Sequence, residues 1–406
     1  MLEFKQEQLL LNMSTEQRID RELIRKLAKC IADFHLKSDA IDPSSFYGSL
    51  DSIKDVVFEN FAETKSGIGS YFPKEDYFKI QAYQIGYLDN YAKQFSQRKQ
   101  DGKVRSCHGD LHLGNICYFD DKVMLFDCIE FSEDFRNIDV LYDLAFTIMD
   151  LHFRDLPEQA NLLLNQYLEW SADYEGLNLL PFYCSIRAYI RAKVLFFATN
   201  SQDPKLHPDL AKQISKYVSL ARSYAEATRG LLIVVCGVSG SGKSTLAREL
   251  AVHLDAVHLR SDVIRKHLGQ VALLDKGDES LYSPEMTKKT YQELLKLALQ
   301  SQKFTHVIVD AKFDLKDLRQ PYLDQKESGV TVRFIHCTAP KQELKTRLDN
   351  RHGDASDADA SLIDSQLDKW QDFSGSGDET CLSIDTCQDL DAQVSRCLSF
   401  IRQENS

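Results

Sequence analysis

Along the first 227 residues, apolar positions recur at three- and four-residue steps, the period of helices with one buried face. Ile19, Leu23, Ile24, Leu27, Ile31 and Phe34 form such a stripe. Ser14-Thr15-Glu16-Gln17 ahead of it reads as a capping box, so the pattern predicts a helix over 14–36. Phe78, Ala82, Ile85, Leu88, Ala92 and Phe95 predict a second over about 75–97. Further helices are expected over 138–153, 157–172, 180–199 and 208–227, with strands only around 116–127. At Gly230 the pattern changes. Leu231–Gly237 (LLIVVCG) is a continuous apolar run with β-branched residues at its centre, as a strand buried on both faces requires. Strand-like segments at 256–259, 306–310, 331–336 and 381–385 then alternate with helical ones at 242–253, 262–268, 283–301, 340–351, 358–370 and 390–402. Ser283-Pro284 supplies an N-cap followed by proline at the first helical position.

This alternation predicts a parallel sheet covered by helices on both faces. The expected architecture is therefore two domains, a mostly helical one over 1–227 and an α/β one over 228–406, with the boundary near 225–230. The length of 406 residues agrees with two domains. Hydrophobic residues at 43% exclude a wholly disordered chain. The net charge of −12, with no run of five lysines or arginines, argues against duplex DNA held by phosphate neutralisation. Ten cysteines occur without a CxxC pair. Cys30, Cys117, Cys128 and Cys236 lie in apolar surroundings, which suits reduced, buried thiols and a cytoplasmic protein. The amino-terminal stretch lacks the basic and apolar regions of a signal peptide, and no apolar run approaches the length of a membrane span.

The chemistry-bearing stretch of the second half is Gly237-Val238-Ser239-Gly240-Ser241-Gly242-Lys243-Ser244-Thr245. It satisfies G-x-x-x-x-G-K-[ST] between a strand-like and a helix-like segment. Wrapping a phosphate with inward N–H groups demands backbone conformations that glycine enters cheaply. The helix that follows aims its positive end at the same anion. Lys243 supplies charge for the β- and γ-phosphates, and the Ser244 hydroxyl can hold Mg²⁺. No N-K-x-D guanine-reading motif is present, which favours ATP over GTP.

Downstream, LRSDVIRKHLG (259–269), VIVDAKF (307–313) and KTRLDNRHGDASDAD (345–359) complete a pattern that resembles the small P-loop kinases. These are the gluconate, shikimate and zeta-toxin-like kinases and the kinase domain of polynucleotide kinases. The resemblance implies that Asp262 faces an acceptor hydroxyl and takes its proton, and that Arg265 holds the substrate. Asp310, at a strand end, would hold Mg²⁺ as a Walker-B aspartate does. Arg347 and Arg351, spaced i, i+4 on one helix face, would close over the transferring phosphate as lid arginines. The bland alternatives are a helix cap for Asp262, a turn cap for Asp310 and a solvated helix face for the arginines. The acidic stretch that follows reads as a polar loop with Ser356 as cap.

The first half carries CHGDLHLGNICYFDDKVMLFDCIEF (107–131), which resembles the aminoglycoside phosphotransferase and choline kinase group. By that resemblance Asp110 is the base toward a substrate hydroxyl and Asn115 and Asp127 are metal ligands, oxygen donors that suit Mg²⁺. IDVLYDLAF (138–146) would contribute Asp139 and Asp143 as structural acids. Kinases of this group have a β-rich lobe with a phosphate-covering loop and an ATP-anchoring lysine before this loop. Residues 1–100 offer no strand–turn–strand of that kind. The chain is then shortened relative to its relatives, or its first half is a non-catalytic remnant, or another surface supplies the clamp. The order of the two halves resembles a bacterial fusion family of aminoglycoside-phosphotransferase-like and ATP-binding proteins.

The expectation is an Mg²⁺- and ATP-dependent phosphotransferase whose chemistry lies in the second half. Its partners would be ATP and an unidentified hydroxyl acceptor, either a small polyol, a nucleotide sugar or a nucleic-acid 5′ end. The alternatives are an ATP-binding regulatory module with a pseudokinase first half, and an aminoglycoside-type kinase working through Asp110.

Overall fold

The computed structural model describes residues 5–199, 207–226, 229–351, 353–373 and 381–402. The chain divides into two compact units, Met1–Ala227 and Thr228–Ser406. The junction itself, at residues 227 and 228, lies outside the described residues, as does residue 352 of the 345–359 motif.

The first unit opens with α1 (Leu10–Thr15) and α2 (Arg21–Lys37). The single helix expected over 14–36 is thus two. Gln17 turns the chain with φ 54°, and Asp20, not Ser14, caps α2 by accepting from the Leu23 N–H at 2.8 Å. Ser14 ends the preceding helix, its hydroxyl donating to the Leu11 carbonyl. α3 (Leu50–Thr64) was not legible in the pattern, since it buries little besides Val57 and Phe61 among its apolar residues. The helix expected over 75–97 is broken at Tyr91 into α4 (Lys74–Asn90) and α5 (Ala92–Gln100). Its buried stripe is set by Tyr77, Ile80 and Leu88, while Phe78 is exposed. Two small antiparallel pairs follow. β1 (Val104–Ser106) pairs with β4 (Asn137–Asp139), and β2 (Ile116–Phe119) with β3 (Lys122–Leu125), with the short α6 (Glu133–Arg136) before β4. Among the described residues before Val104 there is no strand.

α7 (Val140–Phe153), α8 (Pro157–Ser171), α9 (Leu180–Ala198) and α10 (His207–Ser223) complete the unit. α7 is buried on nearly every face and lies in the main core, where Leu144, Ala145 and Met149 meet Tyr183, Ile186 and Tyr189 of α9. Arg98 of α5 crosses this core's edge, its guanidinium forming paired hydrogen bonds with both Asp139 and Asp173 at 2.6–2.8 Å.

The second unit runs β5 (Leu232–Cys236), α11 (Lys243–Leu254), β6 (Val257–Arg260), α12 (Ser261–Leu268), α13 (Pro284–Ser301) and β7 (Val307–Asp310). It continues with α14 (Lys316–Leu323), β8 (Val332–Thr338), α15 (Lys341–Asp349), α16 (Ile363–Lys369), β9 (Cys381–Asp385) and α17 (Leu390–Arg402). The sheet is parallel throughout, in the order β6-β7-β5-β8-β9. Side chains alternate across it. Ile233, Val235, Ile308 and Ile335 pack with Leu246 and Leu250 of α11 and Val394 and Cys397 of α17. On the other face the rings of Phe334, Phe313, Tyr291 and Tyr322 meet edge to face. This is the two-faced α/β architecture the alternation predicts. The connection out of β5 leads toward β7 and β6, whereas β8 and β9 lie on its other side. The carboxyl end of β5 is therefore a topological switch point, where open α/β sheets place their ligands. All ten cysteines are free; Cys117 and Cys236 are buried and Cys30 is half-buried, but Cys128 is exposed, against the expectation of burial.

Candidate active site

The loop 237–242 leaves β5 at that switch point and ends in α11. Gly237, Gly240 and Gly242 have φ of 147°, 76° and 82°, and Gly242 is the N-cap of α11. A Cβ at Gly240 would stand 2.6 Å from the Leu344 carbonyl oxygen, and one at Gly237 2.6 Å from that of Cys337. The cradle is thus closed to side chains at two of the three glycines for packing as well as conformational reasons. The Ser241 hydroxyl is buried with no hydrogen-bond partner among the described residues.

Asp310 ends β7 beside the loop, in register with Val235 of β5 and Arg260 of β6. It is 2% exposed. Its Oδ2 lies 3.3 Å from His258 Nε2 and 3.9 Å from Arg260 Nε, while its Oδ1 is buried with no hydrogen-bond partner among the described residues. Burial by itself would raise this carboxyl. The His258 hydrogen bond and the charges of Lys243, His258 and Arg260 outweigh that and hold it well below the usual carboxylate range. A buried, ionised carboxylate with one unmet oxygen near Lys243, with the Ser244 hydroxyl one residue further on, is a donor set that fits a hard divalent cation.

On α12, Asp262 is half-buried in the first turn and Arg265 is buried one turn on. Arg265 Nη1 donates to the Leu281 carbonyl at 3.2 Å and to Thr287 Oγ1 at 3.1 Å, its guanidinium lies 5.3 Å from the Tyr282 ring, and its Nε has no partner among the described residues. Burial, a hydrogen bond to Asp357 and the charges of Asp357 and Asp262 push the Tyr282 phenol up, with Arg265 opposing. Arg265 therefore lies beside Tyr282, with Asp262 one helical turn before it on α12.

Two expectations need correction. α15 ends at Asp349, so Arg351 lies beyond it and does not share a helix face with Arg347. Arg347 is turned toward β9, donating to Thr386 Oγ1 at 2.9 Å, the Thr386 carbonyl at 3.0 Å and the Gly240 carbonyl at 3.4 Å, and pairing with Glu343 at 2.7 Å. Arg351 donates to the Ala358 carbonyl. Nor is 354–359 a plain polar loop capped by Ser356. Asp354 pairs with Arg260 at 2.7 Å. Asp357 pairs with Lys266 at 3.0 Å and accepts from the Gly277 N–H and the Tyr282 hydroxyl. Ser356 instead donates its N–H to Asp354.

Arg260, Lys266, Gln366 and Thr386 are thus site residues that the sequence reasoning missed. Arg260 and Lys266 stand within LRSDVIRKHLG, but the sequence does not show that they are buried and paired with Asp354 and Asp357. Gln366 of α16 reaches the phosphate loop, its Oε1 accepting from the Ser239 N–H at 2.9 Å and its Nε2 donating to Ser239 Oγ at 3.1 Å. Trp370, at the end of α16, stacks on His336 with ring centroids 4.4 Å apart. Burial, aided by the charge of Arg319, lowers the His336 pKa to about 4.

In the first unit the chain also brings its predicted polar residues together. Gly109 turns at φ 84°, where a Cβ would meet the Phe135 carbonyl at 2.6 Å. Asp143 accepts from the N–H groups of His108 and Gly109 at 3.0 and 2.9 Å and lies 3.1 Å from His35 Nε2. Asp139 caps α7 through the Leu141 N–H. Both acids are buried; Asp143 fixes the loop, while Asp139 ties the start of α7 to Arg98. Asn115 Nδ2 donates to the backbone carbonyl and carboxylate of Asp110 at 3.0 and 2.9 Å. Asp127, exposed at φ 59°, follows Phe126, whose N–H donates to the Asn115 carbonyl, so Asn115 and Asp127 occupy the same end of the β2–β3 hairpin.

Comparison with known proteins bears on both units. Residues 5–180 match the phosphotransferase enzyme family, and residues 232–373 match an AAA domain family. An uncharacterized protein of Mycobacterium tuberculosis is 26% identical over 372 residues, 89% of this chain and 73% of its own length. A guanylate kinase of Zymomonas mobilis is 31% identical over 146 residues, 32% of this chain and 66% of its own. The crystal structure of a gluconokinase from Sinorhizobium meliloti aligns at 20% identity and a TM-score of 0.33, covering 43% of this chain and 93% of that one. The chain joins a phosphotransferase-family segment to a P-loop kinase segment, and it is an enzyme of kinase type.

Proposed function

We propose that the second unit transfers the γ-phosphoryl group of ATP to a hydroxyl of a small-molecule or nucleotide-type acceptor. The observation that carries this reading is the glycine cradle at the carboxyl end of β5, with the unmet buried oxygen of Asp310 beside it. The loop N–H groups and the amino end of α11 would bind the phosphates, with Lys243 on the β- and γ-groups. Ser244 and Asp310 would hold Mg²⁺, which when bound neutralises charge on the β- and γ-oxygens. Asp262 takes the acceptor's hydroxyl proton as the new O–P bond forms and the bond from the γ-phosphorus to the bridging oxygen breaks, leaving ADP. Arg265, held by Leu281 and Thr287, orients the acceptor. Arg347, bound to the Gly240 carbonyl and Thr386, steadies the cradle, and Arg351 is the arginine left to approach the transferring group. The free thiols suit a cytoplasmic setting.

The test is ATP consumption across a panel of polyols, nucleotide sugars and 5′-hydroxyl oligonucleotides. Lys243→Ala and Asp262→Asn should lose turnover by about 100-fold or more, and Asp110→Asn should keep it. Loss in Asp110→Asn alone would move the chemistry to the first unit. That second reading draws on the Asp110–Asn115 hydrogen bond and on an Asp110 carboxyl lowered, against its burial, by His112. Binding of ATP without turnover on any acceptor would mark a regulatory module.

A further inference from the structure

The first unit contains a partly open cavity of about 190 Å³ bordered by α3, α6, α7 and α9 and the 109–110 loop. Its wall is mostly aliphatic and aromatic, including Ile53, Val56, Phe146, Ile186 and Ile190. An apolar cavity of about 150 Å³ accommodates benzene, so this one has room for a single ring or a short chain. Four charged groups interrupt the apolar wall, Arg187, Arg191, Asp110 and Asp134, with the Arg191 guanidinium also lying 6.0 Å from the Tyr217 ring centroid. Asp139 also borders it but is taken up by Arg98 and the α7 cap.

Arg187 is 6% exposed. Its Nε donates to the Tyr142 carbonyl at 3.1 Å, and its guanidinium lies 3.8 Å from the Tyr142 ring centroid and 4.8 Å from that of Phe146. Its Nη2 is buried with no hydrogen-bond partner among the described residues. A buried cation with an unmet donor is costly unless an acceptor reaches it. Arg191 stands one helical turn further along α9 on the same wall. Asp110 and Asp134 line the same cavity and would repel a doubly charged anion more than a singly charged one. A planar, singly charged carboxylate matches a guanidinium in shape and charge.

We infer that this cavity binds a small carboxylate with an apolar body of about one ring, its carboxylate seated on Arg187 with Arg191 beside it. Selection by two arginines runs against polycationic ligands. This site is independent of the phosphate loop of the second unit.

The full chain can be titrated calorimetrically with 3-phenylpropionate, 3-phenylpropanol, 3-phenylpropylamine and phenyl phosphate. The acid should bind, with the alcohol weaker by about tenfold or more, as expected for loss of a charge-assisted hydrogen bond. The amine should not bind. Arg187→Met should erase the preference for acid over alcohol, and Ile190→Trp, which fills the cavity, should abolish binding of both. Should Arg187→Met fail to fold by circular dichroism, Arg191→Met and Ile190→Trp carry the same comparison, with the acid weakened about threefold or more in Arg191→Met. An amine that binds as well as the acid, an acid that does not bind the folded chain, or acid binding unchanged in the folded arginine variants would overturn the proposal. Phenyl phosphate binding more tightly than the carboxylate would overturn the assignment to a singly charged ligand.

Discussion

Gly240 shows how much chemistry one residue can hold. Its positive φ and its close approach to the Leu344 carbonyl leave no room for a methyl group. Gly240→Ala should cost about 1–3 kcal/mol of stability in the second unit and weaken ATP binding by at least tenfold, read by thermal melting and by titration with a fluorescent ATP analogue. Asp310 makes the complementary case. Asp310→Asn keeps the shape of the side chain but removes its charge, so ATP binding should lose most of its Mg²⁺ dependence, and the melting temperature should also fall because the charged form is the one favoured by His258, Lys243 and Arg260. A loss of Mg²⁺ dependence only in Ser244→Ala, with Asp310→Asn unchanged, would remove Asp310 from the metal site.

Between elements, ion pairs join parts of the chain that local pattern cannot connect. Arg98 of α5 holds Asp139 at the start of α7 and Asp173 after α8. Arg98→Met would leave the buried Asp139 carboxylate without its cation and Asp173 with only Lys103, at 3.7 Å, and should destabilise the first unit by about 3–5 kcal/mol, measured by urea unfolding. The same network sets the acid response. Burial alone would raise the Asp143 and Asp173 carboxyls, but the hydrogen bond and charge of His35 lower the first and Arg98 lowers the second below the usual carboxylate range. Depressed carboxyls contribute stability that is complete above the unfolded value and lost as pH falls through the folded one. The first unit should therefore melt at a nearly constant temperature from pH 7 to about 5 and progressively lower below about 4. A rise in melting temperature on acidification through that range would contradict it. Much of this level was legible where the signal was local. β5, the phosphate loop and α11 occupy one contiguous stretch, and the strict alternation of strands and helices after Gly230 is carried by uninterrupted apolar runs. α3 was not legible because its buried residues are sparse. Ser14-Thr15-Glu16-Gln17 has the residues of a capping box, yet Gln17 turns the chain and Asp20 caps the next helix. The i, i+4 spacing of Arg347 and Arg351 does not reveal that α15 ends at Asp349. Gln366 and Thr386 were invisible because their partners lie far away in the chain.

At the scale of the whole molecule, two units with separate cores carry separate polar sites. Mg²⁺ and ATP at 100 times their dissociation constant should stabilise the second unit by about 2.7 kcal/mol and leave the first unchanged, seen by hydrogen exchange resolved along the sequence. Protection spreading to residues 107–131 on ATP addition, and surviving Lys243→Ala, would instead place nucleotide in the first unit. The chain has two tryptophans, Trp170 in one unit and Trp370 in the other. Trp370 sits on His336 four residues beyond Gln366, whose carboxamide grips Ser239 of the phosphate loop. In a Trp170→Phe background, the remaining indole becomes a native optical gauge: any ligand that loosens Ser239 from its amide tether will be read as a change in emission, without a label.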